Sequence, residues 1–286
     1  MAQILHQQTG VPIGIISCNK GASRVDAWTA PEIVETPEYQ QMMTPCHVDY
    51  RLCVYNQKSW LYLKKVLPIA PYTVNGVVWY QGESNRLRDE AVYYDKMLAA
   101  MIDNWRDIWH DEHLPFYLIQ LMPFNEDPAN NAAWEIIRQK QEQVAKTVDN
   151  VHLATLVITG EHGNIHPAHK FTAAKQAANA ILNSLYGFDT IPCGPILASA
   201  DKKAGEIVLT FEHSDGLHIK GDALEDVFVY DADGTEYPAV GRVEDDKLVI
   251  TADADIREIA MGWRNNPTHN LYNSADFLAS PFKIEV

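Results

Sequence analysis

Residues 76–86 read GVVWYQGESNR. Gly76, Val77, Val78, Trp79 and Tyr80 make a bulky, mostly β-branched or aromatic run, the composition of a buried strand. Gln81, Gly82, Glu83, Ser84 and Asn85 then crowd polar and ionisable groups onto the end of that strand. Such groups cost free energy in an interior unless they are hydrogen-bonded or put to chemical use. This stretch sets the fold class, because three other segments have the same apolar character. They are VPIGIIS (11–17), PFYLIQLM (115–122) and VHLATLVI (151–158). All four are near-continuous apolar runs, which suit parallel strands covered on both faces.

Helical patterns separate these runs. Residues 91–109, 132–148 and 170–187 carry apolar side chains at three- and four-residue spacing, and Gly187 supplies a stop signal. Alternating strands and helices predict an α/β domain of three layers, with a parallel sheet between helices and ligands at the carboxyl ends of the strands. Residues 25–71 read as a long excursion with one or two helices. Beyond Asp189 the pattern changes. Segments 206–212, 226–240 and 247–252 alternate apolar and polar residues around turns such as Asp233–Gly234, which predicts an antiparallel β region. The expected domains are therefore 1–188 and 189–286, the second an accessory β-rich domain.

Composition narrows the function. The chain has 286 residues, 47% hydrophobic, with a formal net charge of −15. The apolar fraction excludes disorder, and no apolar run approaches the ~20 residues of a membrane helix. The acidic balance argues against a nucleic-acid partner. Four cysteines show no metal-binding spacing. Buried thiols are the expectation, with a Cys46–Cys53 bridge open in an oxidising compartment. No signal peptide is visible, and AQILHQQTG (2–10) reads as the end of a helix closed by a glycine, so sequence belonging ahead of Met1 is expected to be missing.

Three of the strand ends carry chemistry. The first leads into SCNKGAS (17–23), where Gly21 lets a ligand approach its backbone N–H. The second delivers QGESN. The fourth leads into TGEHGNIHPAHK (159–170), where Pro167 places His166 at the start of a helix. A backbone donor, an amide and an imidazole at one sheet edge are the inventory for acyl transfer: a base, and two donors for an oxyanion. A rival reading makes Glu161, His162, His166 and His169 zinc ligands, but Pro167 breaks the helix that would align them and no HExxH motif is present.

Together, IGIISCNKGASRVDAW (13–28), VVWYQGESN (77–85), NIHPAHK (164–170) and WRNNPTHNLYNSADFLASPFKIEV (263–286) resemble the sialate O-acetylesterases, within the SGNH-type serine esterase superfamily. The resemblance runs along essentially the whole chain. It implies an SGNH-like parallel sheet with helices on both faces, an accessory β domain, hydrolysis of O-acetyl esters of sialic acid without a cofactor, and a secreted or periplasmic location. An O-acetylated small molecule or glycan would be the partner. By resemblance, His166 is the base, the Gly21 N–H and the Asn85 amide hold the oxyanion, Gln81 and Glu83 shape the pocket, and Arg138 and Gln141 face substrate. Glu83 is either a catalytic acid or a structural carboxylate.

Two departures stand out. The family's nucleophile is the serine of a Gly-Gln-Ser-Asn motif, which occurs nowhere in this sequence and is expected upstream of Met1. Ser17, Ser23 and Ser84 read as ordinary hydrogen-bonded serines. The superfamily's usual aspartate, two or three residues ahead of the histidine, is here replaced by Asn164 and Gly163, leaving Glu161 or a distant carboxylate to orient His166. The alternative in another class is a nucleophile-less, inert sugar-binding homologue. Trp28, Trp79 and Trp263 offer faces for sugar stacking, with core packing as the competing role.

Overall fold

In the computed structural model, residues 1–43, 53–126, 130–158, 161, 163–203, 205–253 and 255–286 are described. The chain divides into two compact units, residues 2–121 with 127–153, and residues 122–126 with 154–286.

The 76–81 run becomes strand β1 (Val77–Trp79). It pairs in parallel with β2 (Phe116–Ile119), Val77 opposite Phe116 and Trp79 opposite Leu118. β3 (Val151–Ala154) flanks β2 on the other side, completing a parallel sheet of three strands in the order β1-β2-β3. The fold is thus mixed α/β. Residues 11–17 correct the expectation of a further strand. They form no regular structure, and Val11, Ile15 and Ile16 are 44%, 65% and 44% exposed. An apolar run becomes a strand only where a neighbouring strand takes its hydrogen bonds and other layers take its side chains. Among the described residues this segment has neither, and Pro12 has no N–H to offer.

Helix α1 (Ala2–Thr9) does end at a left-handed glycine, Gly10 with φ 71°. Residues 25–71 carry short helices, α2 (Pro31–Val34) and α3 (Pro37–Met42), with 3₁₀ turns at Val25–Trp28 and Val54–Asn56. Cys46 lies outside the described residues, and with it the expected Cys46–Cys53 bridge. The 91–109 pattern starts earlier than expected, as α4 (Arg88–Ala91), then continues as α5 (Tyr94–Trp109). α5 buries Tyr94, Met97, Leu98, Met101, Ile102 and Trp105, an apolar stripe at helical spacing. It packs on α6 (Trp134–Thr147), with Lys140 Nζ 3.2 Å from Asp95 Oδ2. Trp28, Trp79 and Trp105 meet edge-on or tilted, with centroids 5.8–6.4 Å apart. Trp28 and Trp79 are buried in that cluster, so their faces serve the core.

In the other unit, α7 (Phe171–Tyr186) closes on Gly187 at φ 69°, as its sequence predicts. The antiparallel strands then follow: β4 (Ile196–Lys203), β5 (Glu206–Glu212), β6 (His218–Ile219), β7 (Val227–Tyr230), β8 (Glu236–Pro238), β9 (Val240–Glu244), β10 (Lys247–Thr251), β11 (Glu258–Met261), β12 (Leu271–Tyr272) and β13 (Phe282–Glu285). They form two four-stranded sheets, β4-β5-β10-β9 and β13-β11-β7-β8, and a small β12-β6 pair. Ile207, Leu209, Leu248 and Ile250 of the first sheet share one apolar core with Val229, Ile259 and Met261 of the second. The Asp233–Gly234 turn joins β7 to β8. There Asp231 Oδ1 accepts the N–H groups of Asp233 and Thr235, and Gly234 takes φ 76°.

Candidate active site

The end of β1 shows how the polar residues 81–85 are accommodated. Gly82 adopts φ 147°, and a Cβ there would sit 2.8 Å from Ile137 Cγ2 and 3.1 Å from Leu121 Cδ1. Only glycine combines that backbone with that closeness. The chain can therefore turn at once from the strand into a 3₁₀ turn at Glu83–Asn85, with Asn85 wholly buried.

Asn85 is held from every side. Its Oδ1 accepts from the Val25 N–H at 3.0 Å and from Gln81 Nε2 at 2.7 Å, and its Nδ2 donates to Glu90 Oε1. Gln81 Nε2 also donates to the Ser23 carbonyl at 2.9 Å, while its Oε1 accepts from the Tyr94 hydroxyl at 2.7 Å. Asn56 ties down the same loop: its Oδ1 accepts the Arg24 N–H and its Nδ2 donates to the Ala22 carbonyl. Gly21 precedes these anchored residues, is exposed, and makes no described hydrogen bond through its N–H. The structure thus brings the Gly21 loop and Asn85 into one network, with an open backbone donor at its margin.

Gln81, Arg138 and Gln141 are buried, and each binds main chain. Gln141 Oε1 accepts the Leu121 N–H and its Nε2 donates to the Gln81 carbonyl, while Arg138 Nε donates to the Leu121 carbonyl at 2.8 Å. They lash the ends of β1 and β2 to α6. Burial pushes the Arg138 guanidinium down to about 9, against the opposing pull of Glu135 and Tyr80. Glu83 is half-buried and lies close enough to Tyr80 and Tyr94 to raise both phenols further, on top of the larger effect of burial. Ser23 Oγ donates to the Lys20 carbonyl and accepts from Trp28 Nε1, so its hydroxyl hydrogen is already committed. Ser17 is exposed and accepts from Asn19, and Ser84 is half-buried.

Arg24 and Asp26 fall inside the 13–28 segment without being singled out there, and Glu90 lies outside every quoted motif. Arg24 Nη2 reaches Glu90 Oε2 at 2.7 Å and its Nε reaches Asp26 Oδ1 at 3.0 Å, all three side chains being at most 4% exposed. Two buried carboxyls thus share this guanidinium. Burial pushes the Asp26 carboxyl up, Arg24 pulls it down, and Glu90 pushes it up again, for a net rise. The folded protein holds the Asp26 proton more tightly than the unfolded chain, so this group's contribution to stability is present below the ordinary carboxylate value. It is lost as pH rises through the raised one. Asp26→Asn, a neutral isostere, should accordingly gain stability relative to the parent as pH rises from about 4 toward 7. Urea unfolding midpoints of both proteins across that range check it; a deficit that widens with pH contradicts it.

His166 lies in the unit of residues 154–286 and is exposed. α7 begins only at Phe171, with Lys170 as its cap, so Pro167 is not in its first turn and His166 does not stand at a helix start. A loop fixes it instead. The His166 N–H donates to Asn164 Oδ1 at 2.9 Å, and Asn164 Nδ2 donates to Glu161 Oε2 at 3.1 Å. Glu161 Oε1 accepts the Ala168 N–H at 2.8 Å, with the His169 N–H at 3.4 Å. These bonds, led by that from Asn164, hold the Glu161 carboxyl below the usual range. Glu161 therefore braces the loop that carries His166. His162 lies outside the described residues, and with it the four-ligand metal alternative. Trp263 is half-buried.

The profile of the carbohydrate esterase family described as sialic acid-specific acetylesterase matches residues 1–183. Over 210 residues the chain is 25% identical to the mouse sialate O-acetylesterase, spanning 59% of this chain and 39% of the mouse protein. To the human sialate O-acetylesterase it is 25% identical over 195 residues, spanning 59% of this chain and 35% of that protein. It thus covers well under half the length of these curated relatives. A crystal structure of a carbohydrate acetylesterase from Xanthomonas citri superposes with a TM-score of 0.85 at 28% identity, covering 99% of this chain and 63% of that one. With a site network built around the QGESN strand end and a family match over residues 1–183, the chain belongs to the sialic acid-specific acetylesterase family of carbohydrate esterases.

Proposed function

We propose that this chain supplies the base and oxyanion donors of an esterase that hydrolyses O-acetyl esters of a carbohydrate, sialic acid foremost, by serine–histidine acyl transfer on an SGNH-type three-layer scaffold spanning residues 1–188, with residues 189–286 as an accessory domain. The observation that carries the reading is the locked Asn85 amide, tied to Val25 and, through Gln81, to Ser23 of the loop that also carries the exposed Gly21. In this mechanism a serine hydroxyl attacks the acetyl carbonyl carbon while His166 takes its proton. The carbonyl π electrons move to oxygen, where the Gly21 N–H and Asn85 Nδ2–H stabilise the charge. Collapse expels the sugar oxygen, which His166 protonates, and water then releases acetate from the acyl-enzyme by the same steps.

The serine is proposed to be that of the family's Gly-Gln-Ser-Asn motif, since buried Ser23 donates its hydroxyl hydrogen to the Lys20 carbonyl rather than to a base. Gln81, Arg138 and Gln141 act as positioning residues that fix the strand ends, and Glu83 shapes the pocket. Acetate release from O-acetylated sialic acid tests the proposal. Asn85→Ala should lower kcat at least ~100-fold, the usual cost of one oxyanion donor. An Asn85→Ala variant that keeps its fold and its kcat contradicts the assignment. Binding of the acetylated sugar with no turnover by any form favours the inert binding protein instead.

A further inference from the structure

Glu90 sits under Asn85 and belongs to none of the motifs that define the family resemblance. It lies in α4, is wholly buried, and accepts from Asn85 Nδ2 on Oε1 and from Arg24 Nη2 on Oε2. An asparagine amide is close to two-fold symmetric in shape, so a pocket that holds it must distinguish oxygen from nitrogen by its partners. Here the distinction is made twice. The Val25 N–H and Gln81 Nε2 can only donate and face Oδ1. Glu90 Oε1 takes one hydrogen of Nδ2. That leaves Nδ2 with its second hydrogen, and fixes the plane in which that hydrogen points. A hydrogen bond to a buried ion-paired carboxylate is shorter and stronger than one to a neutral group, and so fixes the amide more firmly.

We propose that Glu90 is a positioning residue for ester hydrolysis, its Arg24-paired carboxylate fixing the Asn85 amide so that one N–H remains for the developing oxyanion. The proposal rests on the reading of Asn85 as an oxyanion donor. Arg24 keeps the carboxylate in place through its second oxygen, and Asp26 steadies Arg24 from the opposite side without touching Asn85. Glu90 thus reaches the proposed oxyanion donor directly, through the Asn85 amide it accepts from.

The first test needs no turnover. In ¹⁵N-labelled protein of this sequence, the Asn85 side-chain amide is assigned by its loss in Asn85→Ala. One of its protons should resonate downfield, as a charge-assisted bond requires, and move upfield in Glu90→Gln while the remaining amides stay dispersed. An unmoved resonance overturns the proposal. The second test is kinetic, in the form that releases acetate. Glu90→Gln should lose roughly 10- to 100-fold in kcat with little change in KM, the scale of a mis-set catalytic group. In the Asn85→Ala background it should lose nothing further, because the group it acts through is gone. Losses that multiply show that Glu90 is merely structural and overturn the proposal. If Asn85→Ala itself keeps full kcat, the oxyanion reading has failed rather than the Glu90–Asn85 coupling, which the resonance reports separately.

Discussion

His166→Ala is expected to lower acetate release about 10³-fold or more while leaving the thermal midpoint nearly unchanged. The two halves of that expectation come from different parts of the structure. The loop around His166 is held through main-chain groups and through Glu161 and Asn164: the His166 N–H bonds Asn164 Oδ1, and the Ala168 N–H bonds Glu161 Oε1. Alanine retains its own N–H, so both bonds survive, and an exposed side chain away from the core contributes little to stability. The chemical half follows from the proposed role, because a positioned base and acid contributes ~10²–10⁴-fold and acts in both acylation and deacylation. Steady-state kcat and a calorimetric melt on the same preparation check both halves. A variant with normal kcat removes His166 from the mechanism; a large drop in melting temperature assigns it to the fold.

Gly194→Ala is the stability counterpart, with the largest expected structural effect. A Cβ at Gly194 would stand 1.9 Å from the Leu278 carbonyl oxygen and 2.5 Å from Thr155 Oγ1. Neither neighbour can yield cheaply. The Leu278 oxygen is main chain, and Thr155 Oγ1 lies 2.8 Å from it while accepting the Gly194 N–H at 3.0 Å. Gln176 in turn holds both the N–H and the carbonyl of Thr155. A methyl group must therefore displace a buried, hydrogen-bonded junction, at a cost at or above the upper end of overpacking, about 3 kcal/mol or more. For a chain of this size that lowers the melting temperature by roughly 5 °C or more. A calorimetric scan showing less than a degree of change contradicts the packing described here.

What can be read from the letters alone depends on the kind of interaction involved. Helices α5, α6 and α7 are legible because apolar spacing is a local signal and Gly187 a local stop. β5 is legible for the same reason, since its buried and half-exposed residues alternate as the letters do. Residues 11–17 mislead because a strand is a property of its neighbours as much as of its own side chains. The position of His166 misleads differently: proline favours a first turn but does not create one, and α7 starts later. At the candidate site, Asn85, Gln81 and Gly21 stand in recognisable motifs. Glu90 does not, and the role of Arg24 is not legible within its own motif, because it lies in a contact between residues far apart in the chain, Arg24 with Glu90. For Gln81, Arg138 and Gln141 the letters carry a resemblance but neither their burial nor their main-chain partners, which only the fold supplies.

In the proposed mechanism, residues of this chain complete a serine esterase whose nucleophile comes from a Gly-Gln-Ser-Asn segment. The decisive experiment is acetate release from O-acetylated sialic acid, followed side by side for the 286-residue chain and for a version extended upstream with that segment. Turnover is expected from the extended protein, with its loss in His166→Ala, and none from the 286 residues alone. Equal turnover from both proteins places the nucleophile within the present sequence and contradicts the mechanism. So does turnover that survives His166→Ala.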